Sequence, residues 1–337
     1  MTGLPLLYDV AGLCNAMVDT LVRVDDAELA DLERARGAMH LVDRVAWEKA
    51  LARFATPDAE VHAGGSGANT LTGIGLLGGR AVFRGQVGDD EMGRRCAASL
   101  LEACGGHALA IAPGLDTGAC LALVSRQDHE RTMLVDLGAA PLLDDLGPFA
   151  ETIRRSRVFH CTGYALQGGP IRAVALEGME IAHRAGRAVS VDVSDPFVVR
   201  GLGDDLWRIL ERTVDLVFLN EEEAAALCDG AGPEEALERI AEHVPTVVVK
   251  LGRRGSLVKH EGVVTPLGIH PVQAVDSTGA GDAYAAGFLF GYTRGWSASR
   301  SGRLGARVAS LAVGQLGAVC RDRSALAASV AACWEHP

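Results

Sequence analysis

Asp276-Ser277-Thr278-Gly279-Ala280-Gly281-Asp282, running into the small and apolar residues Ala283 to Tyr292, is the stretch that decides how this chain is read. Two glycines and an alanine leave backbone amides open to a ligand. The periodic apolar residues behind them predict a helix whose free N–H groups and positive dipole end face that ligand. Asp282 falls in the first helical turn, where a carboxylate is ordinarily just a favourable helix-start charge. Three consecutive small residues between a Thr and an Asp, however, are what a loop needs in order to lie against phosphate oxygens. A helix terminus contributes at most about 2 kcal/mol to a nearby charge. That is too little for a phosphoryl group in transfer, so a divalent cation is implied, together with one residue that takes the proton of an attacking hydroxyl. Asp282 is the candidate for that residue.

A second glycine cluster lies in the other half of the chain. His62-Ala63-Gly64-Gly65-Ser66-Gly67-Ala68-Asn69-Thr70 precedes a helical stretch from Leu71 to Leu77, and Gly85-Gln86-Val87-Gly88-Asp89-Asp90-Glu91-Met92-Gly93 follows a short strand at Ala81 to Phe83. Gly64 and Gly65 let backbone approach a ligand closely, and Asn69 offers a donor and an acceptor to a hydroxylated ring. A tight turn with Asn69 near a helix start is the competing reading. Further upstream, Leu6 to Val24 reads as a buried strand, broken by Gly12 and Asn15, that bends out of the core toward a polar site. Asn15 and Asp19, four apart, are expected on one face of it. A carboxylate at Asp19 suits the vicinal hydroxyls of a sugar, with a solvated strand end as the alternative.

These stretches resemble the signatures of the ribokinase-like (PfkB) family of carbohydrate and nucleoside kinases. Asp276 to Asp282 matches the carboxyl-side pattern D-[ST]-T-G-A-G-D at every position. Gly64 to Asn69 and Gly85 to Gly93 match G-G-x-x-x-N and G-x-[VI]-G-D-D-x-x-G, and Gly12 to Asp19 matches the G-x-x-N-x-x-x-D strand of the adenosine-kinase-like branch. The resemblance runs from Gly12 to about Ala318. It implies Asp282 as the catalytic base and the amides of Gly279, Ala280, Gly281 and Asp282 as the hole for a γ-phosphate. It also implies a monovalent cation, potassium, beside Asp276 and Thr278. Asn15, Asp19, Gly64, Gly65 and Asn69 would surround the sugar, and Tyr164 would lie against a purine. The cofactors so implied are ATP and Mg2+. The acceptor is a primary hydroxyl, first that of a nucleoside such as adenosine at its 5′-OH, with a free sugar as the alternative. No second aromatic residue for the base is visible in the sequence.

Asn220-Glu221-Glu222-Glu223 follows the apolar strand Val214 to Leu219. An Asn followed three residues later by Glu is a capping box, which explains the spacing without chemistry. The resemblance adds a second meaning, because N-x-x-E is the family's magnesium and phosphate motif. Asn220 then contacts the cofactor and Glu223 holds metal-bound water. Both meanings fit a cap at the carboxyl end of a central strand, where doubly wound sheets bind ligands. Val247 to Ser256 reads as a buried strand entering a glycine turn, with Leu257 to Lys259 as the return strand. In the family this turn borders the nucleotide, which makes Lys250, Gly252 and Gly255 candidate contacts; Lys250 is equally a strand-end charge. There is no G-x-x-x-x-G-K-[ST]. Gly73-Ile74-Gly75-Leu76-Leu77-Gly78 matches the dinucleotide pattern on paper, but it follows a helical stretch where that motif needs a strand.

Strands alternate with helices from about Ala63 onward, which calls for an α/β doubly wound, mostly parallel sheet with helices on both faces. Asn15 to Val24, Thr117 to Ser125 and Arg131 to Leu137 are short strands without intervening helices. They predict a small antiparallel β lid, formed from about 13–62 and 115–140, over the site of a single domain spanning 1–337. An exposed lid face would suit a homodimer. Formal charge is −11, which argues against nucleic acid or an anionic membrane surface as partner. Eight cysteines without paired spacing read as reduced thiols, and neither a leader nor a membrane-length apolar run is present, so a cytoplasmic location is expected. A binding protein without turnover and a dehydrogenase remain the readings from other classes.

Overall fold

Val189, Val191, Leu216, Val217, Phe218, Leu219, Val247, Val248 and Val249 belong to runs apolar at nearly every position, which suits strands buried on both faces. In the computed structural model, which describes residues 5–335 apart from 31, 33, 58, 128 and 129, they sit at the centre of a nine-stranded sheet. In chain order the strands are β1 Tyr8–Leu13, β2 Met17–Val24, β3 Met39–Leu41, β4 Glu60–Gly64, β5 Ala81–Gly88, β6 Ala108–Ala112 and β7 Gly118–Ser125. They continue as β8 Arg131–Asp136, β9 Ser156–Thr162, β10 Ala188–Asp192, β11 Leu216–Asn220, β12 Thr246–Lys250, β13 Ser256–His260 and β14 Val263–Leu267. The large sheet runs β14-β13-β12-β11-β10-β9-β1-β5-β6 and is parallel except for β13 and β14. Val217 and Leu219 pack into the core of one face and Leu216 and Phe218 into that of the other, so helices cover both. Among the described residues no helix is long and apolar enough to cross a membrane. All eight cysteines are free thiols.

Two expectations need correction. The segment from Leu6 to Val24 is two strands in two sheets. β1 pairs in parallel with β5 and β9, whereas β2 pairs with β4 and β7, and Cys14-Asn15-Ala16 makes the crossing. Asn15 is therefore on the crossover and not on one strand face with Asp19. The smaller sheet, ordered β3-β8-β7-β2-β4, is mixed and not antiparallel: β2 with β7 and β3 with β8 run parallel. Helices Asp26–Ala30 and Arg44–Phe54 intervene between β2 and β4. The second helix lays Trp47, Ala50 and Phe54 over Val22, Val24, Leu121 and Leu123. One face of the smaller sheet is thus covered by the chain itself.

The segment from Gly85 to Gly93 turns out to brace this smaller sheet. Asp90 caps the helix Glu91–Cys104 by accepting from Gly93 N–H, and its two oxygens also accept from the N–H and Oγ1 of Thr117, just before β7. Thr117 Oγ1 in turn accepts from Gly88 N–H. The Gly73 to Gly78 pattern lies in the last turns of helix Ser66–Leu76 and just beyond, away from any strand-to-helix turn.

Candidate active site

Helices Ser66–Leu76 and Ala280–Tyr292 pack side by side on one face of the large sheet, and their amino ends meet at the mouth of a cleft of about 520 Å³. Gly279 precedes the second helix with φ +66°, a left-handed conformation, and a Cβ on it would stand 2.5 Å from that of Ala318. Only glycine fits there. The first helical bond runs from Ala283 N–H to Gly279 O. Among the described residues the amides of Gly279, Gly281 and Asp282 have no acceptor, whereas Ala280 N–H is turned to Ser277 O at 3.3 Å. The cradle therefore rests on three of the four expected amides.

Asp282 lies at the mouth of the cleft. Ser66 Oγ donates to its Oδ1 at 2.7 Å and Asn69 Nδ2 to its Oδ2 at 2.9 Å. Burial pushes its carboxyl up to about 6 against the pull of these two bonds. Asn69, expected on the sugar, here orients the carboxylate. Ser66 does the same, and sequence reasoning missed it although it sits inside the quoted glycine cluster.

The loop ahead of the helix is held by Asp276. Its Oδ1 accepts from Thr278 N–H and Oγ1, at 2.8 and 2.5 Å, and its Oδ2 from Gly317 N–H at 3.0 Å. Arg131 Nε on β8 approaches to 3.7 Å. Thr278 lines the cleft and Asp276 does not.

The carboxyl ends of β10, β11 and β12 make the floor, as expected for a doubly wound sheet. Asn220 caps the following helix by accepting from Glu223 N–H, and Glu223 accepts from Asn220 N–H and Nδ2, so the capping box is complete. Burial raises the Glu223 carboxyl to about 7, opposed by Lys250 and reinforced by Asp192. Lys250 Nζ donates to Asp192 Oδ2 at 2.9 Å. Burial works against the ammonium, but Asp192 and Glu223 more than offset it and raise its pKa. Gly252 lines the cleft. Gly255 does not: at φ +91° its missing Cβ would lie 1.9 Å from Leu267 O, so it serves the hairpin and not the cofactor.

The opposite wall is the inner face of the smaller sheet. The registers align Asp19 with Cys120 and Val135, and Leu21 with Ala122 and Met133. Asp19 has no hydrogen-bond partner among the described residues; burial first, then the charge of Asp282, pushes its carboxyl up to about 7. Gly64 makes room for it, since a Cβ there would stand 2.1 Å from Asp19 Oδ2; Gly65 lines the cleft and Gly64 does not. Asn15 Oδ1 is buried, without a partner, at the cleft. Tyr164 faces Phe197 with ring centroids 6.0 Å apart, and both line the cleft, as do Met39, Met133 and Leu137. Phe197 is the second aromatic residue that the sequence did not reveal. Asp192 and Arg131, to which the sequence analysis gave no role, also line the cleft.

Bare amides at a helix start, a carboxylate oriented by two donors beside them, and a ribokinase-like pair of sheets define a phosphotransferase. The model of the pfkB family of carbohydrate kinases matches residues 39–322, and the chain belongs to that family. The adenosine kinase from Sinorhizobium meliloti is 34% identical and superposes with a TM-score of 0.87, over 96% of this chain and 99% of its own. A probable sugar kinase from Rhizobium etli is 30% identical with a TM-score of 0.89, over 97% and 99%. The adenosine kinase of Saccharomyces cerevisiae is 28% identical over 313 residues, 88% of each chain.

Proposed function

We propose that the protein transfers the γ-phosphoryl group of ATP to the 5′-hydroxyl of a nucleoside, adenosine first. The observation that carries this is a single cleft that brings together Asp282 with its two donors, the free amides before it, and, without hydrogen-bond partners among the described residues, the Asp19 carboxylate and Asn15 Oδ1. Asp19 and Asn15 hold the ribose hydroxyls. Tyr164, Phe197, Met133 and Leu137 give the base an apolar bed. The acceptor oxygen attacks phosphorus as its proton passes to Asp282. The bond from the γ-phosphorus to the β,γ-bridging oxygen breaks, and ADP carries the leaving electrons. The amides of Gly279, Gly281 and Asp282, with Lys250 and Arg131, face the charge that develops. The smaller sheet acts as the lid that keeps water from the phosphate.

Magnesium fits a site whose carboxylates hold water instead of metal. Both Glu223 oxygens already accept from Asn220, and among the described residues no group of three metal-ligating side chains occurs. Asn220 and Glu223 would hold its waters; when bound, it supplies charge to the phosphates. Potassium fits less well, since the Asp276 carboxylate already serves three donors, and no step is assigned to it.

A free sugar is the second acceptor, favoured by the likeness to the Rhizobium etli sugar kinase. It would leave the Tyr164–Phe197 end empty. A coupled ADP-release assay over adenosine, ribose and fructose separates the two: adenosine is expected to give the highest kcat/KM, and a preference for fructose overturns the nucleoside reading.

A further inference from the structure

The floor of the cleft holds an ion pair that neither the helix cap nor the loop needs. β11 lies between β10 and β12, and its last residue, Asn220, pairs in register with Lys250. From the end of β12 the Lys250 side chain crosses the end of β11 to reach Asp192 Oδ2, at the end of β10, 2.9 Å away. Both side chains are largely withdrawn from solvent, at 15% and 4% exposure. Burying two charges costs more than their attraction returns in most proteins, so such a pair is a poor device for stability alone. Its location suggests another use. A Cβ on Gly281 would stand 3.0 Å from Lys250 Nζ, so the ammonium lies directly against the first turn of helix Ala280–Tyr292, in the same cleft as the free amides. Gly281 leaves the room for it.

We propose that Lys250 adds its charge to the phosphate cradle beside this first turn, and that Asp192 is the positioning residue that holds it there. This rests on the phosphotransfer reading above. The ammonium complements what three amides supply, because an anion in transfer carries more charge than a helix end balances. Asp192 is itself fixed, since its Oδ1 accepts from Ser194 N–H at 3.1 Å. The groups facing the base Asp282 are then Asp192 and Lys250 from the floor, Asp19 from the smaller sheet with Arg131 beyond it, and the neutral Ser66, Asn69, Cys14 and Tyr164.

The test compares Lys250→Met and Asp192→Asn with the wild type in steady-state kinetics from pH 5 to 9, with melting temperature as the control for folding. Each variant is expected to lose about tenfold or more in kcat, with the acceptor KM within about twofold. The acidic limb of kcat moves in opposite directions. Without Lys250 the ionised form of Asp282 loses a nearby cation and the limb rises in pH; without the Asp192 charge it loses a nearby anion and the limb falls. In kcat the double variant behaves like Lys250→Met, because Asp192 acts on the cradle through Lys250, while its acidic limb lies between those of the two single variants. A pair that merely joins strand ends would lower the melting temperature while leaving kcat and the limb unmoved, and that result overturns the proposal. Should Lys250→Met fail to fold, Asp192→Asn, which keeps an acceptor for Ser194, decides by its kcat: a loss of about tenfold or more upholds the proposal and an unchanged kcat refutes it. Should the wild type phosphorylate none of the acceptors, the phosphotransfer reading fails instead. Calorimetric ADP binding then tests the pair: about fivefold weaker binding in Lys250→Met upholds it and unchanged binding refutes it.

Discussion

The two walls of the cleft are built on opposite plans. On the floor side nearly every polar group is already engaged: Asp276 by Thr278 and Gly317, Glu223 by Asn220, Asp192 by Lys250, and Asp282 by Ser66 and Asn69. On the smaller sheet an apolar surface of Met17, Leu21, Cys120 and Val135 surrounds Asp19, which has no hydrogen-bond partner among the described residues, and Asn15 at the crossover keeps an oxygen orphaned among them. The contrast assigns different tasks to the two walls. Groups that must stabilise a transition state are held in place before any ligand arrives, whereas groups that select a ligand are left for the ligand to satisfy. Changes on the floor should therefore act on kcat, and changes at Asp19 and Asn15 on KM.

The largest effect expected is that of Asp282→Asn. Losing a general base lowers kcat by roughly 10²–10⁴-fold, with both KM values near those of the wild type in the coupled assay. A large rise in KM instead would break the comparison by making Asp282 a binding group. Next comes Asp19→Asn. Hydrogen bonds to a charged acceptor contribute about 1.5–3 kcal/mol each, so the nucleoside KM should rise by about ten- to a hundredfold with kcat largely kept. The same variant carries a stability signature. A carboxyl raised to about 7 by burial stabilises the fold fully below its unfolded value of about 3.9, and that contribution is lost as pH rises through 7. Asp19→Asn should accordingly match the wild type at about pH 4 and be the more stable of the two at pH 8, by up to about 4 kcal/mol, in denaturant titration. The smallest effect belongs to Phe197→Ala, worth about 0.5–1.5 kcal/mol of ring contact. It should raise the KM for adenosine by up to about tenfold and leave that for ribose unchanged; equal effects on both would place the base elsewhere.

The same contrast separates what the sequence made legible from what it did not. The cradle is contiguous, and its chemistry lies in seven consecutive residues, Asp276 to Asp282. Glycines there have local causes that a reader can find. The capping box at Asn220 and Glu223 was legible for the same reason. Asp192, Lys250 and Gly281 come together only because β10, β11 and β12 are neighbours in the sheet, and strand order is not written in any local pattern. Phe197 meets Tyr164 across two separate strand ends. Ser66 was overlooked because a hydroxyl at a helix start has an ordinary explanation. The crossover at Asn15 was read as a bend because both flanking segments are apolar, and alternation alone does not say which sheet a strand joins. The covered face of the smaller sheet depends on the helix Arg44–Phe54 folding back over it, a long-range event as well.

The proposed phosphoryl transfer depends most directly on the ionisation of Asp282. Rapid-quench measurement of phosphoryl transfer from ATP to adenosine in a single turnover, across pH 5 to 8, isolates the chemical step. The rate should fall tenfold per pH unit below about 6, where burial places the Asp282 carboxyl, and the residual rate of Asp282→Asn should show no such limb. A wild-type rate that stays level down to pH 5, or an Asp282→Asn rate equal to the wild type at pH 7.5, would contradict it.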